Sequence, residues 1–256
     1  MKIISFANQK GGVGKTTTVI NLASELSRKK RVLVIDLDPQ GNCTKTLTGQ
    51  RNFDFDATIA AMFDKPKLVS LNDLIQPARI CGEDVIENLD IAPADFQLSK
   101  VIETSLTKIN RERILEKQLA KLTGNYDYVL LDTPPNLSLT TLNAIQASEL
   151  VVIPMDSGAF SLDGISPLLE AVEEIKDEDG EFLILRNEVD NRNSIINDFL
   201  EESLEEVKEK IIPFVIRKSE HVTQSNALCS PVRFYKTGSL VNNDYRKLAN
   251  YISNEC

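Results

Sequence analysis

Short apolar runs alternate along the chain with longer segments whose apolar positions recur at helical spacing. Six runs are nearly continuous, as expected for strands that a parallel sheet buries on both faces: residues 2–7, 32–35, 128–131, 150–154, 182–185 and 211–216. Helical spacing predicts helices over residues 16–28, 57–63, 98–122, 139–147, 162–175, 194–209 and 244–252. The alternation predicts an α/β fold, a twisted and mostly parallel sheet with helices on both faces, joined by right-handed βαβ units.

The least regular stretch covers residues 41–56, which are rich in Gly, Asn and Thr and follow an acidic strand end. We interpret this stretch as a switch loop rather than as a linker between domains. The chain of 256 residues shows no internal repeat, and its length is common for one α/β domain. We therefore expect a single domain that spans residues 1–256.

Charge and composition exclude several classes of protein. The chain has 29 Lys and Arg against 38 Asp and Glu, a net charge of −9, so any DNA binding has to come from a local basic patch. It has no apolar run of 18 residues and no signal-peptide pattern at its start, so we expect a cytoplasmic protein. One histidine and four scattered cysteines argue against a Ser-His-Asp triad and a structural zinc site.

A glycine-rich segment between the first strand and the first helix carries the strongest chemical signal. It consists of Gly11, Gly12, Val13, Gly14, Lys15, Thr16 and Thr17. Glycines let backbone N–H groups turn toward a polyphosphate, and the helix that follows points its positive end at the same anion. In such a phosphate loop Lys15 reaches the β- and γ-phosphates of a nucleotide, and the Thr16 hydroxyl ligates Mg²⁺.

Two strands end in acidic residues at the edge of the sheet where this loop lies. Asp36 and Asp38 follow the second strand, and Asp132 follows the apolar run at residues 128–131. The carboxyl ends of parallel strands face the ligand crevice, so these side chains are expected to orient a water or to complete the shell of a magnesium ion. The sequence thus predicts a magnesium–nucleotide site.

The phosphate loop departs from the usual pattern, because Gln9 stands where a glycine is expected and Lys10 stands beside the loop. The segments KGGVGKT, DLDPQGN and DTPPNLS resemble those of the ParA/MinD family of ATPases, which have a deviant Walker A motif. The resemblance implies ATP and Mg²⁺ as cofactors, Asp36 in support of the metal and Asp38 as the residue that positions the attacking water. It also implies that Lys10 reaches the partner's phosphates in an ATP-bound homodimer.

The resemblance is looser in the last third of the chain. Asn187 and Pro213 lie at strand ends where the family contacts adenine. Arg192 matches one family position for DNA binding without sequence preference, and the second such position is shared among Arg217, Lys218 and His221.

As a whole, the resemblance implies a ParA-type ATPase for plasmid or chromosome partition. Its ATP-bound dimer binds nucleoid DNA, and a ParB-like centromere-binding partner stimulates hydrolysis and release. The phosphate loop begins near residue 8, so we expect no N-terminal helix-turn-helix domain.

Three alternatives use related machinery. A MinD-type membrane-cycling ATPase needs a basic amphipathic C-terminal helix, whereas residues 245–256 have two cations and a modest apolar face, so no stable membrane association is expected. A relative of the nitrogenase iron protein needs cysteines near the nucleotide, and the DTPP segment has none. A ParA-like ATPase that positions a protein cargo remains open.

Overall fold

The computed structural model describes residues 1–105, 109–156, 165–176, 180–190, 192 and 204–254. Its central sheet has the strand order β3-β4-β2-β5-β1-β6-β7, in which β3 and β4 are antiparallel and every other pair is parallel. The strands are β1 (Lys2–Phe6), β2 (Val32–Asp36), β3 (Gln76–Ile80), β4 (Asp84–Ala92), β5 (Tyr128–Asp132), β6 (Leu150–Met155) and β7 (Glu181–Arg186).

Helices cover both faces of this sheet. They are α1 (Lys15–Leu26), α2 (Asn42–Thr48), α3 (Ile59–Asp64), α4 (Gln97–Thr104), α5 (Ile114–Leu119), α6 (Leu139–Ala147), α7 (Ser166–Lys176), α8 (Glu220–Ala227), α9 (Val232–Tyr235) and α10 (Leu240–Asn254). The predicted fold class is confirmed. The expectation of one domain stays a prediction.

Successive residues of β2 belong to two different hydrophobic clusters. Val32 and Val34 pack with α1, α9 and α10, whereas Leu33 and Ile35 pack with α3, α4 and α5. This division follows from the alternation of side chains across a strand. Because helices cover both faces of the sheet, the residues of β2 form a continuous apolar run in the sequence.

The strand register places three carboxyl ends side by side. Asp36 at the end of β2 pairs with Asp132 at the end of β5, and Asp132 also pairs with Phe6 at the end of β1. The chain leaves β1 at this edge and enters α1 through the glycine-rich segment. The topology therefore brings both acidic strand ends beneath the N-terminus of α1.

Three sequence predictions about elements were wrong. The segment interpreted as a switch loop contains α2, whose third residue Thr44 donates its backbone N–H to the carboxylate of Asp36. The predicted helix over residues 98–122 is interrupted, since Asn110 has a positive φ of 54° and a short 3₁₀ turn follows it. Residues 211–216 form no strand: Ile211 makes one isolated bridge with Ile184, a second bridge follows at Arg217, and Pro213 has no N–H for a ladder.

Other boundaries differ less. The last helix begins at Leu240, four residues earlier than predicted, and the helix predicted from residue 162 begins within the described residues at Ser166. Most of the helix predicted over residues 194–209 lies outside the described residues. The hairpin of β3 and β4 was not predicted, because the exposed first half of β4 is polar.

Candidate functional site

The glycine-rich segment bends sharply as it enters α1. Gly12 and Gly14 have φ values of 79° and 80°, a region that glycine adopts without strain, and Gly14 is the N-cap of the helix. The side-chain amide of Asn187 donates to the Val13 carbonyl at 2.8 Å. A Cβ atom on residue 14 would lie 2.2 Å from that amide nitrogen, so the close approach also requires glycine.

Lys15 is folded back over this loop. Its Nζ donates to the carbonyls of Asn8 at 2.9 Å and Lys10 at 3.0 Å, and the residue is only 6% exposed. Burial lowers the pKa of this ammonium, while the carboxylates of Asp132 and Asp38 raise it. The loop therefore holds one cation directly above two carboxylates.

Asp132 is the deepest of these acids. It is fully buried. Neither oxygen of its carboxylate has a partner of good hydrogen-bond geometry among the described residues, although the Thr16 hydroxyl lies close enough to lower its pKa. Burial and the neighbouring carboxylate of Asp36 raise its pKa well above the usual range. A buried carboxyl group without a partner is rare unless a cation or water completes it. Together with the Thr16 hydroxyl it forms the oxygen donor set that Mg²⁺ prefers, so the residues fit this ion.

Asp36 has a different environment, because both of its oxygens accept hydrogen bonds. One accepts from the Asp38 backbone N–H at 3.1 Å, and the other accepts from the Thr44 backbone N–H at 2.8 Å and hydroxyl at 2.7 Å. Burial raises the pKa of Asp36 to about 7. The Thr44 hydroxyl in turn accepts from the Ala94 N–H at 2.9 Å. Asp36 thus fixes the turn that carries Asp38.

Asp38 lines an open cavity of about 350 Å³ in front of the loop. The cavity is also lined by Gly11, Gly12, Gly14, Lys15, Thr16, Thr17, Gln40, Asn42, Pro135 and Glu188. Asp38 is 8% exposed, and burial raises its pKa. Its Oδ1 accepts the backbone N–H of Gln40 at 2.9 Å, so the side chain is held at the cavity wall.

A second cavity of about 410 Å³ adjoins the first, since Thr17 and Glu188 line both. Asn187, the predicted adenine contact, is among the residues that line it, and its Oδ1 is buried without a partner among the described residues. Pro213 is exposed and lines neither cavity. The structure therefore brings Asn187, but not Pro213, to the candidate nucleotide site.

Lys10 lies on the rim and pairs with an acid of its own chain. Its Nζ is 2.8 Å and 3.1 Å from the two carboxylate oxygens of Asp156, and the side chains are 42% and 24% exposed. Asp156 follows β6 and Glu188 follows β7 at the carboxyl edge of the sheet. Sequence reasoning missed both residues, although the rule that identified Asp36 and Asp132 applies equally to these strands.

The residues predicted to contact DNA are mostly engaged with acids. Arg192 is 88% exposed and its Nη2 lies 2.6 Å from Asp190, whereas Arg217 makes two contacts, at 2.6 Å and 3.0 Å, with the buried carboxylate of Asp244. Lys218 is exposed. His221, which shares the second family position with Arg217 and Lys218, is half-buried. Its ring centroid lies 6.3 Å from that of Tyr235.

Comparisons with known proteins agree with this geometry. The model of the AAA domain family AAA_31 matches residues 1–185. The sporulation initiation inhibitor protein Soj of Bacillus subtilis (strain 168) is 34% identical over 98% of each chain. The chromosome partitioning protein ParA of Myxococcus xanthus is 32% identical over 91% of this chain and 81% of the relative, and ParA of Caulobacter vibrioides is 32% identical over 97% and 92%.

Solved structures share the fold. A plasmid partition protein from Borrelia burgdorferi bound to AMPPNP superposes with a TM-score of 0.83 at 23% identity and covers 100% of this chain and 99% of its own. Apo McdA from Cyanothece superposes with a TM-score of 0.80 at 22% identity, over 98% and 99%. In the part of the chain that the structure describes, no helix is both long and apolar enough to span a bilayer.

Proposed function

Because the chain belongs to the AAA domain family and is related to the Soj and ParA partitioning proteins, we propose that it is a ParA-like ATPase for plasmid or chromosome partition. The observation that carries the proposal is the fully buried Asp132 carboxylate, which among the described residues has only the Thr16 hydroxyl and the Lys15 charge to stabilise its ionised form, beneath a loop that holds Lys15. A magnesium–nucleotide complex supplies the cation for the carboxylate and the anion for the loop.

Each residue of the site has a distinct part in ATP binding and hydrolysis. The N–H groups of the loop and the Lys15 ammonium hold the phosphates, and Asn187 faces the side where the base binds. Thr16 and Asp132 hold Mg²⁺, which, when bound, neutralises charge on the β- and γ-phosphates. Asp38 accepts a hydrogen bond from the attacking water and orients it toward the γ-phosphorus.

Asp36 has a positioning part in this scheme. Its oxygens are occupied by Thr44 and by the Asp38 N–H, so it fixes the direction of Asp38 rather than offering an unshared oxygen to the metal. The assignment of Asp36 to the magnesium site therefore stays a prediction with a weaker basis than that of Asp132. Because Asp36 holds Asp38 in place before ATP binds, less free energy is needed to reorganise the site during hydrolysis.

Lys10 couples hydrolysis to assembly. To reach the phosphates of a second protomer it has to leave Asp156, and ATP in that protomer supplies the charge that replaces this carboxylate. The ATP-bound homodimer binds DNA without sequence preference on the nucleoid. A ParB-like centromere-binding partner then accelerates hydrolysis and release.

Membrane cycling has less support. Five side chains of α10 that would have to enter a membrane are buried in the core: Val241, Tyr245, Leu248, Ala249 and Ile252. An interfacial helix needs an exposed apolar face, whereas among the described residues of α10 the one large apolar side chain that is mostly exposed is Leu240, at its first position. Two relatives that match more than nine tenths of this chain are chromosome partitioning proteins.

The test is dimerisation that depends on both ATP and magnesium. Light scattering of the purified chain is expected to give a monomer mass without nucleotide and a dimer mass with ATP and Mg²⁺. Asp38→Ala is expected to bind ATP, hydrolyse it slowly and accumulate the dimer. An unchanged mass under all these conditions, for both proteins, would contradict the proposal.

A further inference from the structure

Three arginines from three different elements meet at the C-terminal end of α1. Arg28 follows this helix, Arg233 lies in α9 and Arg246 lies in α10. The Nε atoms of Arg28 and Arg246 are 2.8 Å and 3.5 Å from the same oxygen of Glu25. Arg233 donates to the Ser24 carbonyl and, at 3.4 Å, to the Ser27 hydroxyl. We call these three residues the arginine cluster.

The positive charge of the arginine cluster is only partly compensated. The carboxylate of Glu25 is 2% exposed and forms ion pairs with Arg28 and Arg246. Among the described residues, Arg233 donates hydrogen bonds only to neutral oxygens and feels the Glu25 charge without a direct ion pair. Burial and the nearby Arg28 charge lower the pKa of the Arg233 guanidinium to about 10. Crowded guanidinium groups repel one another, so a further anion beside them stabilises the arrangement.

Two lysines extend the positive surface. Lys29 and Lys30 follow Arg28 directly, are exposed, and take part in no ion pair among the described residues. Cations at the end of a helix also stabilise its dipole, which accounts for residues 28–30 but not for the arrival of Arg233 and Arg246 from other elements. Five cations thus share this surface with two acids, Glu25 and the Glu87 that borders Arg28.

The surface lies far from the candidate nucleotide site. Because α1 has 12 residues, the arginine cluster lies about 18 Å from the phosphate loop at a rise of about 1.5 Å per residue. A cavity of about 460 Å³ separates Arg28 and Arg233 and is also lined by Asn88 and Phe234. The site is therefore complete within one protomer and does not depend on bound nucleotide.

We propose that the arginine cluster, with Lys29 and Lys30, binds the phosphates of the DNA backbone. The inference rests on the proposed function for the presence of DNA as a ligand, and it assigns that ligand to a surface other than the one the sequence indicated. Arginine forks match phosphate oxygens, and flexible lysines add charge without reading bases. An ATP-bound dimer carries two such surfaces, so its binding is bivalent and stronger than that of the monomer.

Contacts elsewhere support this assignment. Arg217 is paired with the buried Asp244 and Arg192 with Asp190. Lys218 makes no ion pair within 4 Å in the described chain, but Glu188 and Asp190 are close enough for its charge to lower their pKa values. A membrane would need several apolar side chains to insert. Those of α10 beside the arginine cluster are buried, and the partly exposed Phe234 lies beneath the Arg233 guanidinium, 4.3 Å from ring centre to charge. Duplex DNA needs only the cations.

The experiment compares two double charge reversals in the full chain. Lys29→Glu with Lys30→Glu alters the proposed surface. Lys65→Glu with Lys67→Glu makes the same change of net charge after α3, on the other face of the sheet, at lysines that are equally exposed. Fluorescence anisotropy with ATP and Mg²⁺ measures binding to duplexes of unrelated sequence as a function of salt, and thermal unfolding verifies that each variant is folded.

The expected result is a selective loss. At 0.1 M salt the Lys29/Lys30 variant should bind every duplex on the order of ten-fold or more weakly, and its log K–log salt slope should fall by about 1.8 per protomer. The Lys65/Lys67 variant should retain most of its affinity. Lys29→Gln with Lys30→Gln should give an intermediate loss, because it removes the attraction without adding repulsion.

Three outcomes would overturn the inference. The first is equal affinity of the two charge-reversed variants. The second is normal binding by the Lys29/Lys30 variant together with loss of binding in Arg192→Glu with Lys218→Glu. The third is sedimentation with phosphatidylglycerol vesicles that depends on Lys29 and Lys30, without DNA binding. If the wild-type chain dimerises with ATP but binds no DNA in low salt, this inference fails while the ATPase part of the proposed function stands.

Discussion

The two ends of α1 carry opposite excesses of charge. At the N-terminal end, Lys15 faces the carboxyl groups of Asp36, Asp38 and Asp132, and two of these three are fully buried. At the other end, the arginine cluster and two lysines face Glu25 and Glu87. An excess of buried charge is costly unless a ligand of opposite sign balances it. One end is suited to a divalent cation with its nucleotide, and the other to phosphates.

The largest effect is expected from removing Lys15, the cation at the N-terminal end of α1. Lys15→Ala leaves the carboxyl groups facing the nucleotide phosphates without a positive neighbour, so we expect calorimetry to show no measurable ATP binding. Two lost charge-assisted hydrogen bonds correspond to about 3–6 kcal/mol, a loss of more than about a hundred-fold in affinity. The matched control is Lys29→Ala, at the opposite end of the same helix, which should bind ATP normally. Normal binding by Lys15→Ala would refute the nucleotide site.

At the C-terminal end of α1, the corresponding test removes the carboxylate of Glu25. Glu25→Gln leaves Arg28 and Arg246 beside an amide that cannot neutralise them, and loss of one partner from a largely buried ion pair is strongly destabilising. Because both arginines are nearly half exposed, we expect a loss of about 2 kcal/mol, which lowers the melting temperature by about 4–8 °C.

The control for this prediction is Glu116→Gln, which breaks an exposed pair with Arg113 and should change the melting temperature little. Short duplex DNA should also raise the melting temperature of Glu25→Gln in low salt, because its phosphates would supply the negative charge that this variant lacks. If Glu25→Gln is as stable as the wild type, the charges at this end do not interact as the distances indicate.

How much the sequence reveals also differs between the two ends. The nucleotide end depends on one contiguous motif and on the rule that parallel strands end at a common edge, so Lys15, Asp38 and Asp132 could be identified without a structure. The arginine cluster joins residues more than 200 positions apart. No local pattern indicates that Arg233 and Arg246 pack against α1.

Long-range contacts explain two further features that the sequence did not indicate, α2 and the ion pair of Arg217, whose contact with DNA stays a prediction. The polar segment after Asp38 has low helix propensity, yet α2 forms because the carboxylate of Asp36 accepts the N–H of Thr44 at the start of this helix. Arg217 was predicted to contact DNA because a cation near a strand end resembles a family pattern. Its ion pair with Asp244, 27 residues away, depends on how α10 packs.

The pH dependence of the melting temperature tests whether Asp36 is protonated in the folded chain. Burial raises the pKa of Asp36 in the folded chain to about 7, above the value of about 4 expected for an unfolded aspartate. The protonated form is favoured by folding, so the stability it contributes is present below about pH 4 and is lost as the pH rises through about 7. We expect the melting temperature of the nucleotide-free wild type to fall between pH 5 and pH 7.

The matched variant for this titration is Asp36→Asn, which has no titratable group at this position. Its melting temperature should depend less on pH over the same interval, and excess Mg²⁺ with ATP should raise the melting temperature of the wild type most at pH 7. A wild-type stability that rises from pH 5 to pH 7 as steeply as that of the variant would show that Asp36 does not titrate as its burial implies.

The smallest expected effect concerns Lys10, which lies near the N-terminal end of α1. Its ammonium can pair either with Asp156 of its own chain or with the phosphates of a second protomer. Its pair with Asp156 is 2.8 Å long but largely hydrated, and such exposed pairs contribute about 0–1 kcal/mol. Asp156→Asn removes the carboxylate that competes with a second protomer's phosphates for the Lys10 ammonium. The ATP-dependent dimer should therefore become tighter by about two- to five-fold, as measured by sedimentation across a concentration series. Glu205→Gln, which breaks an exposed pair with Lys208 away from the candidate nucleotide site, is the control and should leave the dimer constant unchanged. If Asp156→Asn weakens the dimer instead, Asp156 contributes to the interface directly, and the pair with Lys10 is an element of assembly rather than a competitor of it.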